Sequence, residues 1–324
     1  PALRYRRISN ALVTNNRRTA GVCVRNLFVI PEATDPGPWQ VRVGEPTVGG
    51  ILRQEETSLL INLAKSRQPE PRGIFVGSWS PHNWFHWVID TLPAVYLASR
   101  LPKEFDDYPL ILPDSGVTRR SWLEPLELVR SGREIVYVSS DKYKRIEDLV
   151  WIDSPSCPGP LPTESSGYPH FKLHASAMRA YRAHLLEKLG LDGPRRAPLK
   201  KIFLARKQSG HRPYNQAELI NVSTEFGFEP VFLENLSFQE SVEVMLDAKA
   251  VIGPHGAGWA NVLFCQEGTK GIMWSWKQAQ NDNWFANVGA IQHMDFRASL
   301  EVVNRGSQQW LSPEALRLLI TTHI

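Results

Sequence analysis

The sequence predicts an α/β protein whose second half forms a parallel, doubly wound sheet. Short apolar segments alternate with amphipathic ones, serine or glycine marks several junctions, and 324 residues suffice for two domains of ordinary size. The strands predicted in the second half are 201–206, 230–234, 249–253 and 271–276, and the helices are 215–228, 237–248 and a segment from 256. This repeated β-α-β order is typical of parallel sheets with helices on both faces.

The first half has a mixed pattern. Its predicted strands are 74–79, 108–113, 134–138 and 149–152, and its predicted helices are 81–101, about 117–131 and 171–190. Residues 153–169 include five prolines and predict an irregular loop. Gly190 ends the last helix, and 191–200 is a predicted linker. We therefore predict domains at 1–190 and 191–324, and leave open whether the final helix packs back on the first domain.

Composition narrows the class of partner. A net charge of +4 gives no reason to expect nucleic acid, but it permits an anionic ligand or peripheral association with an anionic membrane surface. No stretch approaches the roughly 18 apolar residues of a membrane span. The three cysteines lie far apart and are free thiols of a reducing compartment or uninformative. Sequons at Asn221 and Asn235 keep a secretory lumen open. Oligomeric state is left open.

The segment GPHGAG, residues 253–258, predicts an anion-binding turn. It follows a predicted strand and opens a predicted helix, where backbone N–H groups and the helix dipole favour a phosphate. Gly256 and Gly258 allow the backbone to approach closely. Asn261 lies one turn further on and could add a contact, whereas His255 either contacts phosphate or packs and orients the turn. The alternative to phosphate binding is a tight turn that only packs on its neighbours.

Polar residues also stand at or just beyond the ends of the other predicted strands of the second half, at the edge where parallel sheets bind ligands. Arg206 and Arg212 could together chelate a diphosphate, although a single arginine is more often a solvated surface residue. Glu234 is equally compatible with a contact to ribose hydroxyls and with an ordinary charge ahead of a helix. Ser237 and Glu240 match the capping box of that helix.

HNWFHWVID, residues 82–90, combines polar and aromatic side chains on one predicted helix. Ser80 is predicted to cap this helix and Pro81 to open it, and Pro93 is predicted to kink or interrupt it.

Three polar residues of this helix, His82, His86 and Asp90, recur every fourth position and drift by about 40° per step, so they share one face. A metal site would lack the glutamate of the HExxH motif and a third ligand. A general base is the second interpretation, with Asp90 orienting His86 or taking the proton itself. The third is a set of polar groups that satisfy one another under an aromatic surface.

Four blocks, in this order along the chain, resemble glycosyltransferase family 61, also called the DUF563 family. They are HNWFHWVIDTLP (82–93), IFLARK with a later arginine and asparagine (202–215), FLENLSFQE (232–240) and VIGPHGAGWANVLFCQEGT (251–269). The resemblance implies a GT-B fold, with two Rossmann-like domains facing each other across a cleft. It also implies inverting transfer from a nucleotide sugar, with the donor on the second domain and the base on the first. Trp259 and the strand GIMWSW, which lacks a final glutamate, depart from the family pattern.

The residue pattern and the resemblance together define a predicted site. Asp90 and His86 are the predicted catalytic residues, with Asp90 favoured as the base. The predicted donor-binding residues are Arg206, Arg212, Asn215, Glu234, His255, Gly256, Ala257, Gly258 and Asn261, and the predicted acceptor-binding residues are His82, Asn83 and Trp84. The chain contains no D-x-D motif, so arginines and a helix N-terminus would hold the diphosphate, with no metal and no further cofactor.

The expected activity is that of a metal-independent, inverting hexosyl- or pentosyltransferase. It would move a sugar from a nucleotide-diphosphate sugar, with UDP favoured, to a glycan hydroxyl in bacterial surface-polysaccharide or capsule biosynthesis. The expected location is the cytoplasm, including the inner face of the membrane, with the Golgi lumen as the alternative. Two other classes remain open: a non-catalytic glycan- or nucleotide-binding protein that retains the GT-B fold, and a GT-B-like nucleotide-sugar epimerase.

Overall fold

The fold of the chain is taken from a computed structural model. It describes residues 3–15, 20–24, 27–29, 51–54, 59–61, 69–77, 80, 82–114, 120–139, 143–157, 171–207, 213–276, 283–305 and 308–324. Contacts divide the chain into two compact units, which meet along the sequence at Leu185 and Leu186. The predicted boundary after residue 190 lies just beyond the end of the helix that contains this division.

The first unit is built on a seven-stranded mixed sheet. Its strands, with those of two small two-stranded sheets, are β1 (Tyr5–Asn15), β2 (Ala20–Val24), β3 (Leu27–Val29), β4 (Ile51–Gln54), β5 (Leu59–Ile61), β6 (Glu70–Phe75), β7 (Leu110–Pro113), β8 (Ile135–Val138), β9 (Lys144–Ile152), β10 (Ser156–Cys157) and β11 (Lys172–Leu173). The order in the large sheet is β3-β2-β1-β9-β6-β7-β8, while β4 pairs with β5 and β10 with β11. Each predicted strand of this half overlaps an observed one, but β6 begins and ends before the predicted 74–79, and β9 begins before the predicted 149–152. Strands β1 to β5, β10 and β11 were not predicted.

The parallel part of this sheet has a topological switch point. Strands β9, β6, β7 and β8 run parallel, and β1 runs antiparallel to β9. From β6 the chain winds to β7 and β8 on one side and then returns to β9 on the other. The segments that leave β6 and β9 therefore begin side by side at the carboxyl ends of two adjacent parallel strands, which is where open parallel sheets bind ligands.

Four α-helices of the first unit accompany this sheet. They are α1 (Trp84–His86), α2 (Leu92–Ala98), α3 (Arg120–Val129) and α4 (Ala175–Lys188), with a π-helical turn at Trp87–Thr91 and a 3₁₀ turn at Lys103–Phe105. The prediction that Ser80 caps the first helix is wrong. Asn83 is the cap, and its Oδ1 accepts from the Phe85 N–H at 2.9 Å, while the Ser80 carbonyl accepts from the Asn83 N–H. The Ser80 carbonyl closes a turn before the helix, so His82 precedes the helix instead of sharing its face.

The predicted kink at Pro93 takes the form of the π-helical turn. The Leu92 N–H donates to the Trp87 carbonyl, five residues back. A proline has no N–H to donate and its ring collides with the carbonyl four residues earlier in a regular helix. The wider turn directly before Pro93 accommodates the ring, and the helix then continues as α2.

The second unit contains the predicted parallel sheet. Its elements are β12 (Lys200–Leu204), α5 (Gln216–Glu225), β13 (Phe228–Val231), a 3₁₀ turn (Leu233–Asn235), α6 (Phe238–Leu246), β14 (Ala248–Pro254), a 3₁₀ helix (Ala257–Phe264), β15 (Lys270–Trp276), α7 (Trp284–Ile291), β16 (Asp295–Arg305), β17 (Gln308–Trp310) and α8 (Pro313–His323). The strand order is β13-β12-β14-β15-β16-β17, and only β17 in this sheet is antiparallel to its neighbour. The doubly wound prediction is confirmed, and the switch point lies between β12 and β14.

The starts of β13 and α6 show how single residues set the ends of secondary-structure elements in this unit. Gly227 has φ of 79°, which glycine adopts without strain, and it turns the chain out of α5 directly into β13. The strand therefore begins before the predicted 230–234, and Glu234 falls in the following 3₁₀ turn instead of ending the strand. The predicted capping box of α6 is confirmed, with Ser237 and Glu240 each accepting from the other's backbone N–H.

The core of the second unit includes the C-terminal helix. Phe203, Ile252 and Ile272 come from three adjacent strands, and Leu316 and Ile320 of α8 are buried in the same cluster. The final helix thus contributes to the core of its own unit. Each unit has a sheet rich in parallel strands, an α/β architecture consistent with a two-domain, GT-B-like fold. None of the helices in the described ranges is long and apolar enough to cross a membrane.

Candidate active site

His86 and Asp90 form a buried pair in the helical segment that follows β6. His86 Nδ1 lies 2.6 Å from Asp90 Oδ2, and the two residues are 5% and 8% exposed. Because an ionised carboxylate only accepts, the proton of this bond belongs to Nδ1. That assignment leaves the lone pair of a neutral imidazole on Nε2. The predicted general-base pair therefore exists as a hydrogen-bonded unit at the switch point of the first sheet.

Ser156 holds the second oxygen of Asp90. Its Oγ donates to Asp90 Oδ1 at 2.6 Å, and the residue is 2% exposed. Ser156 lies in the segment that leaves β9, whereas Asp90 lies in the segment that leaves β6. The bond therefore joins the segments that follow β6 and β9, and Asp90 is held by Ser156 on one oxygen and by His86 on the other. This residue was not predicted, because the proline-rich sequence around it indicated only a loop.

Two tryptophans of the same helical segment pack on Trp122. The rings of Trp87 and Trp122 stack with centroids 5.4 Å apart, and Trp87 Nε1 donates to the Trp122 carbonyl at 3.1 Å. Trp84 packs on the same Trp122 ring at 5.8 Å and remains half-buried, so it joins the aromatic cluster. Of the predicted acceptor contacts, His82 is exposed and Asn83 caps the helix through its amide oxygen. That these residues touch an acceptor stays a prediction.

The switch point of the second sheet brings Arg206 against Gly256. Arg206 follows β12, and its Nη2 donates to the carbonyl of His255, directly after β14. A Cβ added to Gly256 would lie 2.6 Å from Nη2 and 3.1 Å from Cζ of Arg206. Glycine therefore permits this close approach, since a side chain at 256 would need the space that the guanidinium occupies and would displace it.

Two further residues hold Arg206 in place. The backbone N–H of Arg206 donates to Gln216 Oε1 at 2.8 Å, and Gln216 Nε2 donates to the Arg206 carbonyl at 3.0 Å. The Tyr214 hydroxyl also donates to Gln216 Oε1, and the Arg206 guanidinium lies 5.8 Å from the Tyr214 ring centroid. Burial raises the pKa of Tyr214, an effect that the nearby Arg206 charge opposes. Tyr214 and Gln216 were not predicted, although both flank the predicted site residue Asn215.

The predicted anion-binding turn opens the 3₁₀ helix of residues 257–264. Ala257 and Gly258 begin this helix, and the first N–H groups of a helix have no acceptor within it. The turn is half-buried, whereas the helix is buried from Trp259 onward. His255 is held by its backbone, whose N–H donates to the Trp274 carbonyl at 2.8 Å, and its ring meets Phe285 edge-on at 5.0 Å. The turn is thus partly exposed and is held by the contacts of His255.

The remaining predicted donor residues differ in their contacts. Asn261 is 1% exposed and donates from Nδ2 to the Gly258 carbonyl at 2.9 Å, which braces the turn from below. Asn215 uses its amide to bond both backbone groups of Leu311, at 2.9 and 3.2 Å, which anchors the segment that precedes α5. Glu234 is exposed and accepts from the Lys207 N–H. Direct contact of these three with a donor stays a prediction.

Two points concern the limits of the site. Arg212, a predicted donor-binding residue, lies outside the described residues. Over the ranges that the structure describes, no group of three or more His, Cys, Asp or Glu side chains could hold a metal ion.

Comparison with known proteins identifies the family. Residues 84–272, more than half of the chain, match the family model described as Glycosyltransferase 61. The chain is also similar to the EGF domain-specific O-linked N-acetylglucosamine transferase of Gallus gallus, with 32% identity over 93 residues. That alignment covers 26% of this chain and only 17% of the chicken protein. The matched region contains His86, Asp90 and the switch point of the second sheet. The chain belongs to glycosyltransferase family 61.

Proposed function

We propose that the enzyme transfers a sugar from a nucleotide-diphosphate sugar, with UDP favoured, to a glycan hydroxyl, by inversion and without a metal. One observation carries the donor side of this proposal. The Arg206 guanidinium is seated on Gly256 at the switch point of the second sheet, beside the start of a 3₁₀ helix. A planar cation next to backbone N–H groups is suited to a phosphate with several charged oxygens.

Stabilisation of the leaving group would come from this turn. As the bond from the sugar to the diphosphate breaks, its electron pair moves to the diphosphate oxygen and negative charge increases there. Fixed donors that are already aimed at this charge lower the barrier without reorganising. The Gln216 clamp on the Arg206 backbone supplies that rigidity. The missing D-x-D motif supports a diphosphate held by these groups instead of by a metal.

The proton of the acceptor would go to His86. The acceptor oxygen forms a bond to the anomeric carbon from the face opposite the leaving diphosphate, and its proton moves to His86 Nε2. Asp90 then stabilises the imidazolium through Nδ1. Both oxygens of Asp90 already accept short hydrogen bonds, which supports a positioning role for Asp90. The structure therefore favours His86 as the base, the opposite of the preference for Asp90 taken from the sequence.

The acceptor class has two candidates. A glycan hydroxyl in surface-polysaccharide or capsule biosynthesis, made in the cytoplasm or at the inner face of the membrane, is the first. The second is a protein hydroxyl in a secretory lumen such as the Golgi, and it is supported by the name of the similar chicken enzyme, which acts on EGF domains. The sequons at Asn221 and Asn235 are compatible with that second location.

A direct assay tests the donor and the stereochemistry. Purified enzyme is incubated with a panel of nucleotide sugars and either oligosaccharides or a folded EGF-like domain, in the presence and absence of EDTA. We expect one donor, most readily a UDP-sugar, to give a product whose anomeric configuration by NMR is inverted, at a rate that EDTA leaves unchanged. Retention of configuration, loss of transfer in EDTA, or conversion of the donor in the absence of any acceptor would contradict the proposal.

A matched pair of arginine variants tests the donor site. Arg206→Ala should weaken binding of a nucleoside diphosphate by about tenfold or more in calorimetry, as expected for loss of a charge-assisted contact. Arg317→Ala removes another arginine of the second unit, one whose guanidinium pairs with Glu225 on α5. It should leave the affinity unchanged. Equal affinities for both variants would contradict the assignment of the diphosphate to Arg206.

A further inference from the structure

A chain of hydrogen bonds extends from His86 through Asp90 to two serines. Ser156 Oγ lies 2.6 Å from Asp90 Oδ1 and 3.2 Å from Ser154 Oγ. A serine hydroxyl has one proton, and Ser156 directs it to the carboxylate. The proton between the two serines therefore belongs to Ser154, and every bond in the chain points toward Asp90.

The position of Ser156 is set by its backbone. Ser156 pairs with Leu173 in the antiparallel β10–β11 ladder, and its N–H lies 3.3 Å from Ser154 Oγ. The His174 N–H donates to the Pro155 carbonyl at 2.8 Å, which extends the attachment to the start of α4. The hydroxyl is thus presented to Asp90 by a small sheet that is independent of the helix carrying the pair.

Other charged groups near these elements have partners of their own. Asp153, at the end of β9, accepts from the Arg4 N–H at 3.0 Å and pairs with Arg6. His174 Nδ1 accepts from the Ala177 N–H at 3.3 Å at the start of α4. Lys172 of β11 is exposed. Among the groups described on these elements, Ser156 is the one whose side chain bonds Asp90 directly.

We propose that Ser156 is a positioning residue that sets the orientation of Asp90 and the proton affinity of His86. This inference rests on the proposed role of His86 as the base. The Ser156 hydroxyl takes up part of the carboxylate charge and fixes which oxygen faces the imidazole. Without this hydrogen bond, more of the negative charge of Asp90 would remain on the oxygen that faces His86, which favours the protonated imidazole. The carboxylate would also rotate more freely.

The sign of the expected pH effect follows from this. A stronger negative charge beside the imidazole favours imidazolium, which cannot accept the acceptor proton. More hydroxide is then needed to obtain the neutral base, so the acid limb of kcat/KM should move to higher pH. We expect a move of about half a pH unit and a fall in kcat of about tenfold, in line with the loss of one hydrogen bond to a buried charge.

Three variants and two readouts test the inference. Ser156→Ala removes the hydroxyl, Ser156→Thr keeps it, and Ser99→Ala removes a half-buried hydroxyl of the same unit that donates to the Tyr96 carbonyl at 2.7 Å. The first readout is the downfield proton resonance of His86 Nδ1–H, assigned by its loss in His86→Gln. The second is the pH profile of kcat/KM. Circular dichroism melts establish that each variant is folded.

The outcomes separate this inference from the proposed function. In Ser156→Ala we expect the Nδ1–H resonance and the acid limb both to move, while Ser156→Thr and Ser99→Ala keep the wild-type values. An unmoved resonance in Ser156→Ala, or an equal change in Ser99→Ala, overturns the positioning role. A resonance that moves while the pH profile stays fixed supports the positioning of the pair but refutes His86 as the catalytic base.

Discussion

Both units place polar residues at the switch point of their sheet, but these residues differ between the units in burial and in hydrogen bonding. In the first unit, His86, Asp90 and Ser156 are each less than a tenth exposed and bond one another. In the second, Arg206 and the turn at Gly256 are half-buried and hold backbone groups near the surface. Equivalent positions in the two sheets therefore carry a buried, hydrogen-bonded pair in one unit and a half-buried turn with a cationic side chain in the other.

The difference corresponds to two chemical tasks. A group that exchanges a proton needs a fixed tautomer, and burial with a carboxylate partner provides it. A group that binds an anion needs donors that a ligand can reach, held rigidly enough that binding orders little else. The contrast suggests that a substitution in the first unit should affect turnover, whereas one in the second should affect donor affinity.

The largest expected effect is at His86. His86→Ala should lower kcat by about 10²- to 10⁴-fold, the usual contribution of a positioned acid–base group, and leave the nucleoside diphosphate affinity unchanged. Asp90→Asn should lower kcat by about 10²-fold, because the amide no longer enforces the Nδ1–H tautomer. Steady-state kinetics at saturating donor and calorimetry check both. A His86→Ala enzyme that turns over faster than Asp90→Asn would return the role of base to Asp90.

Gly256→Ala should have the next largest effect. The new methyl group would meet Arg206 Nη2 at 2.6 Å, and the flexible guanidinium would move away instead of the backbone. Donor affinity should fall by about 10- to 100-fold, since each tenfold loss corresponds to ~1.4 kcal/mol. Calorimetry with a nucleoside diphosphate measures this. Gly289→Ala adds a methyl group at an ordinary contact distance, 3.5 Å from Met294, and serves as the control; similar losses in both variants would contradict the role of Gly256.

A smaller effect is expected at Gln216. Gln216→Met keeps the length of the side chain but breaks both of its hydrogen bonds to the Arg206 backbone. Donor affinity should fall by roughly three- to tenfold, because the backbone of Arg206 is no longer anchored and its guanidinium is less well positioned. Gln266→Met is the matched control, since Gln266 Nε2 also donates to backbone carbonyls, those of Arg196 and Leu246. Both variants should melt earlier, but only Gln216→Met should bind the donor less tightly.

The smallest effect concerns stability and pH in the first unit. The Arg7 guanidinium donates to both carboxylate oxygens of Asp148, at 2.6 and 2.8 Å, and the Tyr108 hydroxyl also donates to Asp148. The hydrogen bond from Arg7, against the opposing effect of burial, lowers the pKa of Asp148. A lowered pKa contributes stability above the ordinary carboxylate range and loses it as the pH falls through the folded value.

Asp148→Asn should therefore reduce the free energy of unfolding by about 1 kcal/mol or less at neutral pH, as expected for a partly exposed pair. The two curves should converge in acid. Urea titrations across pH check this. Asp295→Asn is the control, because the Asp295–Arg297 pair is exposed on both sides and should change little. Curves that stay apart in acid would show that the loss does not come from the Asp148 charge.

Much of the second unit could be predicted because its local signals agree. Ser237 marks the start of α6, Gly227 ends α5, and the apolar residues 250–252 of β14 lead directly into the turn. The charged and polar strand β1 gave no such signal. Strand β1 forms by pairing with β9, which lies far along the chain, and the hydrophobic periodicity of a local segment does not reveal such a contact.

The candidate site shows the same limit. His86 and Asp90 were predicted because four-residue spacing brings side chains together within one helix. Ser156 lies 66 positions from Asp90, and its role depends on how the segments after β6 and β9 meet. Arg206 was predicted from its place after a strand, but its contact with Gly256 and the Gln216 clamp depend on the packing of adjacent strands. Sequence patterns thus identify residues within one element better than partnerships between elements.

The contact between Arg206 and Gly256 also links two positions that lie 50 residues apart in the chain. No side chain larger than hydrogen fits at 256 while the guanidinium occupies its place. A larger residue at 256 would displace the guanidinium, and a shorter residue at 206 would remove it, so we expect either single change to weaken donor binding. The two positions are therefore expected to change together among relatives, and a relative with both changes would have to hold its donor by other groups.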